Sequence, residues 1–529
     1  MINWFQNKWV ISVTAGILLG LSFPPVNLSF LSFPAFILLF HLSEKSDSYK
    51  QLAYYSYAGF VVWNLIGTYW LMMASLPAGI AAILANSVLM TIPLCLAKYF
   101  SQKSESPFII AIFQTSAWVA YEFLHHHWDL SWTWLTIGNA WANFTGVIQY
   151  ISVTGFLGIS FWVVLSSALT YQLILHKEKL LFYSTIGVFL LFPVWSFILY
   201  DDYSENNSNE AVEVAIIQPN HDSYQNYGGM SGLNEVVDSL IALTERTITP
   251  ETQLIIWPEN AIDGWIFADS PSALRISDSA RAWNTNFLAG TGLYESYPPE
   301  SVGLFRGTYQ GLPYNIFNAA LIIDSSGAIS DYKKANLVPV VERVPFVETL
   351  AAIDVFDWVD WGEIAGFGKG SDPDMLKTNA FTTPGLICYD SVYPSWIRKY
   401  IRNDATFITI ITNDGWWGNT SGHHQHFAYA RLRAIEFDRW IARSANNGIS
   451  GIIAPNGAIQ HKTEYWLRMG FTGKVFNKNS RTFYTRFGDW LPLFCLIITF
   501  LGWGFFQFNS RKRKSNHAKF NGIEWQSGS

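Results

Sequence analysis

The sequence has few charged residues, few cysteines and, over its first 200 residues, no arginine. Only 14% of the 529 residues are charged, against about 25% in a typical soluble protein, so a wholly soluble protein is excluded. Three cysteines are too few for a disulfide-stabilised scaffold. A net charge of −6 argues against nucleic acid as a partner. Half of the residues are hydrophobic, which excludes an intrinsically disordered chain.

Apolar runs dominate the first 200 residues, which contain only 13 Asp, Glu, Lys and Arg residues. A transmembrane helix needs about 20 mostly apolar residues, and the sequence predicts eight such spans. A cleavable signal peptide does not explain the first run, because six further runs follow it without a charged domain between them. The runs lie at roughly 9–23, 29–42, 53–75, 80–97, 107–124, 147–175, 180–200 and 490–508.

The positions of the lysines predict the orientation of the spans, since cytoplasmic loops are enriched in basic residues. Lysines precede the first run and follow the second, fourth and sixth, whereas the loops after the first, third and fifth contain neither Lys nor Arg. Both termini are therefore expected in the cytoplasm, and the region after residue 200 on the outer side. Residues 128–141 are rich in tryptophan and predict an interfacial arm or a belt of anchoring tryptophans.

These patterns divide the chain into four parts: a seven-span bundle (1–200), an outer domain (201–489), an eighth span (490–508) and a basic cytoplasmic tail (509–529). Residues 201–210 are polar and predict a linker. The outer domain alternates strand and helix patterns, which is typical of an α/β fold. Strands are predicted at 213–217, 254–257, 287–290, 320–323, 385–388 and 407–411, and helices at 233–244 and 426–444.

Three side chains at predicted strand ends could carry chemistry. Cys388 is the only cysteine of the outer domain and closes an apolar run. Glu259 ends another apolar strand, and Lys334 follows a predicted hairpin. A thiol nucleophile needs a base and a group that stabilises the developing oxyanion. Taken singly, none of the three is specific: a buried core cysteine and a surface lysine are the commoner interpretations, and an exposed turn carboxylate is the alternative for Glu259.

Together, these residues occur in the order Glu, Lys, Cys, about 75 and 54 residues apart, and this resembles the nitrilase superfamily. With the predicted spans, other local motifs resemble the apolipoprotein N-acyltransferase family over nearly the whole chain. Those motifs lie at 21–25, 149–155, 218–220, 257–259, 334–339, 388–389, 413–418, 425–426 and 443–448. The resemblance implies a polytopic α-helical membrane bundle with an inserted nitrilase-like α-β-β-α sandwich.

The resemblance also implies a reaction. Cys388 attacks an acyl ester of a phospholipid, with phosphatidylethanolamine as the expected donor, and Glu259 takes the thiol proton. Lys334 and a backbone N–H stabilise the oxyanion. The resulting thioester then acylates the α-amine of a diacylglyceryl-cysteine apolipoprotein. No metal or other cofactor is implied, since the ester supplies the acyl group. The family implies a bacterium with a periplasm, so the expected location is the inner membrane with the catalytic domain on the periplasmic side; a monomer is the default expectation.

Further residues receive roles from the same resemblance. Supporting roles are implied for Glu342, Tyr389 and Asp390, and substrate contacts for Tyr227, Asn413, Trp416 and Trp417. For the two tryptophans, core packing is the alternative. The chain departs from the usual motifs at Tyr227, Val340, Val341 and Asp390; these differences leave the nucleophile, base and lysine unchanged and concern substrate preference.

Two other functions fit parts of the pattern. In a membrane-anchored amidase or nitrilase-type hydrolase, water would replace the amine. A transporter or a lipid-binding scaffold with an inactive domain is the third interpretation, but the spans contain no charge pair of the kind that transport needs. The histidines at 125–127 and 423–426 could suggest a metal site. Consecutive histidines do not converge on one ion, however, and His426 is expected in the wall of the active site.

Overall fold

The computed structural model describes residues 6–202, 210–353 and 358–523, with side chains described up to residue 509. Each of the seven apolar runs before residue 201 contains a helix. The third and sixth runs are divided between two helices, and the sixth is interrupted where Gly155 adopts a φ of +70°. The helices are α1 (Lys8–Ser22), α2 (Ser32–Lys45), α3 (Tyr49–Thr68), α4 (Leu71–Ala74), α5 (Leu76–Ser101), α6 (Pro107–His125), α7 (Ile151–Thr154), α8 (Leu157–His176) and α9 (Lys179–Leu199).

Five helices are long and apolar enough to cross a membrane: α5, α6, α8, α9 and the segment Trp490–Asn509. Helices α1 and α2 have 15 and 14 residues, and at about 1.5 Å per residue they are shorter than a hydrocarbon core of about 30 Å. The structure therefore supports five spanning candidates among the described residues, and the count of eight stays a prediction.

The polar region between α9 and residue 490 forms two β-sheets. The strands are β1 (Ala211–Gln218), β2 (Thr252–Ile266), β3 (Asn286–Ser296), β4 (Gly307–Tyr309), β5 (Leu312–Ile323), β6 (Ile329–Lys333), β7 (Met375–Lys377), β8 (Thr382–Ile387), β9 (Ile408–Thr412), β10 (Ile441–Ala445), β11 (Gly451–Ile453), β12 (Ile459–Lys462) and β13 (Met469–Phe476). The first sheet has the order β13-β1-β2-β3-β5-β4 with β6 also on β5, and the second has the order β12-β11-β10-β9-β8-β7.

The remaining helices are α10 (Leu233–Glu245), α11 (Pro271–Trp283), α12 (Val347–Ala352), α13 (Trp361–Ile364), α14 (Pro394–Arg402), α15 (Ser421–Phe437), α16 (Phe483–Phe487) and α17 (Trp490–Ile523). Four of them, α10, α11, α14 and α15, cover the outer faces of the two sheets. One apolar core joins α10 and α11 to one face of the first sheet. A second core joins its other face to the second sheet, α14 and α15. Every residue of β9 and β10 is buried, as a sheet between two layers requires, so the layers run α-β-β-α.

Two sequence predictions need correction. The helix predicted over 426–444 ends at Phe437, because Asp438 adopts a left-handed φ of +52°. Its last apolar residues instead form β10, which pairs with β9 and β11. The last helix, α17, continues to Ile523, so it extends past the predicted span boundary at 508 into the predicted tail. Most of the predicted linker at 201–210 lies outside the described residues.

Candidate functional site

Glu259 lies in an irregular stretch of β2 rather than at the strand end that the sequence predicts. Pairing of β2 with β3 shifts between Trp257 and Ile262, and Asn260 has a φ of +52°. Such bulges re-aim side chains next to active sites. Gly290 of β3 permits the irregularity, since a Cβ there would stand 2.3 Å from the Pro258 carbonyl oxygen. The bulge directs the Glu259 carboxylate into the interior, and Glu259 is only 4% exposed.

Lys334 follows β6 directly and is the centre of a buried charge cluster. Its Nζ donates to Glu342 Oε1 at 2.8 Å and to Glu259 Oε1 at 3.2 Å. Asn318 Nδ2 donates to the same two oxygens, at 3.2 Å and 2.7 Å respectively. The backbone N–H of Val338 also contributes to the cluster, since it donates to Glu342 Oε2 at 2.7 Å. The ammonium is thus held between two carboxylates away from water.

Cys388 is the first residue after β8 and begins a short turn, so it stands at the end of the apolar run as the sequence predicts. Its φ is +45°, a left-handed conformation that is uncommon outside glycine and typical of strained functional sites. The residue is buried, at 8% exposure. Its thiol interacts electrostatically with both Glu259 and Lys334. The structure therefore brings the three predicted catalytic side chains into one cluster.

The protonation states follow from burial and from these neighbours. Burial, and then the charge of Glu259, raise the pKa of the Cys388 thiol well above its usual range, although Lys334 opposes them. Burial lowers the pKa of the Lys334 ammonium, but the carboxylates of Glu259 and Glu342 outweigh it and hold that pKa well above the usual value. The resting site therefore contains a neutral thiol beside a permanent cation. A thiolate can form only when its proton moves to a nearby base.

Asp390 connects the loop that begins at Lys334 to the turn at Cys388–Val392, which we call the nucleophile turn. Its carboxylate accepts from the Asn336 backbone N–H at 2.8 Å, from Asn336 Nδ2 at 2.9 Å and from Tyr332 Oη at 2.7 Å. Burial raises the pKa of Asp390 to about 6, and the hydrogen bond from Tyr332 opposes this shift. The aspartate side chain is long enough to reach both segments.

Tyr389 connects the turn to the membrane bundle. Its Oη donates to the Ser131 carbonyl oxygen at 3.1 Å. Its ring stacks near Trp132 and Trp134, with centroid distances of 6.3 and 6.5 Å. Residues 128–141 thus pack against the catalytic domain over part of their length, which neither sequence interpretation of this segment included.

The four predicted substrate-contact residues occupy different environments. Asn413 is buried, and its backbone N–H donates to Glu259 Oε2 at 2.8 Å, so it holds that carboxylate in place. Trp417 packs on Trp70 of the bundle, with ring centroids 4.6 Å apart. The exposed side chains are those of Tyr227 and Trp416. The substrate contacts of all four residues stay predictions.

Asn318 is a site residue that the sequence analysis missed. It lies in the middle of β5, among fully buried apolar neighbours, and it bridges Glu259 and Glu342. A polar amide inside a buried strand needs hydrogen-bond partners. This single polar residue within an apolar run was the feature from which Asn318 could have been predicted as a site residue.

A cavity of about 270 Å³ opens between the bundle and the loop that follows Lys334. The two walls meet where the Phe346 backbone N–H donates to Asp129 Oδ2 at 3.0 Å. Polar and charged side chains from both walls line the cavity, among them His127, Ser131, Asn336, Arg343 and Lys369.

A four-layer sandwich with a cysteine turn beside a buried glutamate and lysine, attached to apolar helices, defines a membrane protein of the carbon–nitrogen hydrolase class. The carbon-nitrogen hydrolase family model matches residues 213–468. The apolipoprotein N-acyltransferase N-terminal domain model matches residues 15–169.

Relatives of the whole chain narrow this class to one family. The apolipoprotein N-acyltransferase of Chlorobaculum tepidum is 30% identical over 521 residues, which cover 93% of this chain and 95% of the relative. The enzyme of the same name from Geobacter metallireducens is 26% identical, with 93% and 94% covered. The chain belongs to the apolipoprotein N-acyltransferase family and is an acyltransferase. Among solved structures, Saccharomyces cerevisiae Nit3 of the nitrilase superfamily is 15% identical, with a TM-score of 0.38 over 52% of this chain and 93% of Nit3.

Proposed function

We propose that this protein transfers an acyl chain from a phospholipid to the α-amine of diacylglyceryl-cysteine apolipoproteins, through a thioester on Cys388. The observation that carries the proposal is the docking of the nucleophile turn on the membrane bundle, through Tyr389 and the tryptophans near Ser131. Substrates that carry acyl chains reach the enzyme from the bilayer, and this arrangement keeps the reactive sulfur next to the membrane-side segment.

The first half-reaction forms the thioester. Cys388 Sγ attacks the ester carbonyl carbon of the phospholipid while Glu259 accepts the thiol proton. Negative charge develops on the carbonyl oxygen, and the Lys334 ammonium stabilises it. The ester C–O bond breaks, and Glu259 returns the proton to the departing lysophospholipid oxygen. Glu342 keeps Lys334 charged and in place, since it shares that ammonium with Glu259.

The second half-reaction forms the amide. The neutral α-amine of the apolipoprotein attacks the thioester carbonyl, and Glu259 removes a proton from the nitrogen. The C–S bond then breaks, and the Cys388 thiolate recovers its proton from Glu259. The products of one cycle are a lysophospholipid and an N-acylated lipoprotein, so the chemistry is ping-pong.

The proposal includes a location and an arrangement in the membrane. Eight spans place both termini in the cytoplasm and the catalytic domain in the periplasm, at the inner membrane. The absence of Lys and Arg from the loops after the first, third and fifth runs supports this orientation. The proposed donor is phosphatidylethanolamine, and the proposed working unit is a monomer.

Intact-mass analysis of the full chain tests the proposal. The protein in detergent is incubated with phosphatidylethanolamine alone, beside a Cys388→Ser variant. We expect an added fatty acyl mass that hydroxylamine removes and that the variant lacks. An unmodified wild-type protein, in lipid that a positive-control acyltransferase consumes, would refute the thioester mechanism.

A second incubation separates acyl transfer from the hydrolase alternative, which the family does not favour. The acylated protein is mixed with a synthetic diacylglyceryl-cysteine peptide or with buffer alone. We expect the peptide to gain the acyl mass while the thioester persists in buffer. Release of free fatty acid at the same rate in both mixtures would identify a hydrolase instead.

A further inference from the structure

A second buried charge cluster is linked to the nucleophile turn through Ser391. Asp414 follows β9, His426 lies on α15, and Arg443 lies on β10. His426 Nδ1 is 2.9 Å from Asp414 Oδ1, and Arg443 Nη2 donates to Asp414 Oδ2 at 2.9 Å. All three side chains are fully buried. The proposed acyl transfer assigns a role to none of them.

Ser391 links this cluster to the nucleophile. Its hydroxyl donates to the carbonyl oxygen of Cys388 at 2.6 Å and lies 3.2 Å from His426 Nε2. A hydroxyl that donates to one group can accept from another, so His426 Nε2 donates to Ser391 in the tautomer whose unprotonated Nδ1 accepts from Arg443 Nη2, 3.1 Å away. A run of hydrogen bonds therefore extends from Asp414 through Arg443, His426 and Ser391 to the backbone of Cys388.

The Cys388 backbone needs such a restraint. Its φ of +45° is a conformation that persists only where the surroundings hold it. The Ser391 bond fixes the orientation of the peptide plane that follows Cys388. That plane carries the Tyr389 N–H, the nearest backbone donor to the nucleophile on its C-terminal side. Its orientation therefore bears on both the sulfur position and the oxyanion site.

The helix that carries His426 is itself anchored to the membrane bundle. The neighbouring Gln425 donates to the carbonyl oxygens of Pro24 and Gly67, both at 3.0 Å. Its Oε1 accepts from Trp134 Nε1 at 2.7 Å and from Trp70 Nε1 at 3.1 Å. Both donors and both acceptor positions of this side-chain amide are thus hydrogen-bonded to the bundle. The helix backbone next to His426 is therefore held in place.

We infer that His426, held by Asp414 and Arg443, is a positioning residue that sets the geometry of the nucleophile turn through Ser391. The inference rests on the proposed thioester chemistry. It assigns the cluster to the acylation step rather than to substrate binding. A positioning residue changes the rate constant at saturating substrate and leaves half-saturation unchanged, because it acts on the transition-state geometry.

The test compares Ser391→Ala, His426→Gln and the double variant with the wild type, in the thioester assay with phosphatidylethanolamine at graded concentrations. We expect each single variant to form the thioester about tenfold more slowly at saturating lipid, since small misplacements at a reacting centre have effects of this size or larger. The half-saturating lipid concentration should stay within twofold. The double variant should be no slower than the slower single variant, because both substitutions interrupt one path.

His424→Gln is the matched control, since it lies on the same helix and is only half-buried. It should acylate at the wild-type rate. Ser391→Ala removes one hydroxyl and leaves the charge cluster intact, so it keeps the test valid if His426→Gln does not fold. Wild-type acylation by Ser391→Ala, or single effects that multiply in the double variant, would overturn the inference. Failure of the wild type itself to acylate would instead refute the proposed function.

Discussion

The catalytic domain and the bundle stabilise buried ionisable groups in different ways. In the catalytic domain, Lys334 contacts the carboxylates of Glu259 and Glu342. In the bundle, buried Lys98 Nζ donates to the carbonyl oxygens of Ser43 and Ser46, at 2.8 and 2.7 Å. These carbonyls stand at the C-terminal end of α2, where the partial negative charge of the helix dipole favours a cation.

The buried acid of the bundle follows the same pattern. Glu122 Oε1 accepts from Trp118 Nε1 and from the Ile137 backbone N–H, both at 3.0 Å. Its partners are neutral, whereas those of Glu259 and Glu342 include the Lys334 cation. A buried charge that faces an opposite charge stays ionised, and removal of either partner leaves the other uncompensated. Lys334 and its two carboxylates thus compensate one another's charge, whereas Lys98 and Glu122 are stabilised by neutral hydrogen-bonding groups.

The largest effect is expected from Glu259→Gln. The variant lacks the proposed base, and general acid–base catalysis contributes about 10² to 10⁴ in rate, so thioester formation should slow about a thousandfold. The measurement is the rate of acyl-mass gain with phosphatidylethanolamine. Glu295→Gln is the control, because Glu295 pairs with the adjacent Lys333 near the surface. Equal rates for both variants would remove Glu259 from the mechanism.

Lys334→Met should destabilise the protein by about 3–5 kcal/mol, the usual result of breaking a buried ion pair. Two carboxylates would remain buried without their cation. The thermal unfolding midpoint in detergent measures this effect. Lys333→Met removes a more exposed partner of Glu295 and should change stability by about 1 kcal/mol or less. A comparable loss in both variants would contradict the contrast between buried and surface pairs.

Asp390 predicts a pH dependence of stability. Burial raises its pKa to about 6 from an ordinary value of 3.8, so the folded state binds this proton more tightly than the unfolded state. Stability should therefore fall as the pH rises from about 4 to about 6, by about 3 kcal/mol, and level off above that range. Unfolding midpoints across this range should fall less steeply in Asp390→Asn.

Asp404→Asn serves as the reference for this pH dependence, since that carboxylate is 80% exposed. Its midpoints should follow the wild-type curve. If the Asp390→Asn curve also does so, the buried carboxyl is not the titrating group.

The smallest effect is expected in the bundle. Lys98→Met removes two hydrogen bonds to the end of α2 and should lower stability by about 1–2 kcal/mol, with thioester formation unchanged. The control is Lys103→Met, which alters an exposed lysine just beyond α5, the helix that carries Lys98. It should change neither stability nor thioester formation. A loss of acylation in Lys98→Met would show that the bundle's charges act on catalysis.

The sequence predicted six of the thirteen described strands, β1, β2, β3, β5, β8 and β9, because each contains a short apolar run bounded by turn residues. Glu259 and Cys388 were predictable as candidates, since each follows an apolar run, and Lys334 was predictable because it follows a predicted hairpin. The bulge at Glu259 was not predictable, because the strand continues past Pro258 only through its pairing with β3. The end of α15 was missed for a related reason: Trp440 and Ile441 extend the helical spacing, and only pairing with β9 and β11 makes Ile441 part of a strand.

By itself, the sequence determined the composition of each region: apolar helices early and late, an α/β domain between them, and the order of Glu, Lys and Cys along the chain. These are local properties, because they depend on the polarity of the side chains and on the spacing at which apolar side chains recur along the chain. The tertiary structure decided which charges meet. Asn318 meets Glu259 and Glu342 in one cluster, and Asp414, His426 and Arg443 meet in another, from separate strands and helices, and no local pattern encodes such distances. Their partnerships arise because a buried polar group is stable only where folding supplies its hydrogen-bond partner.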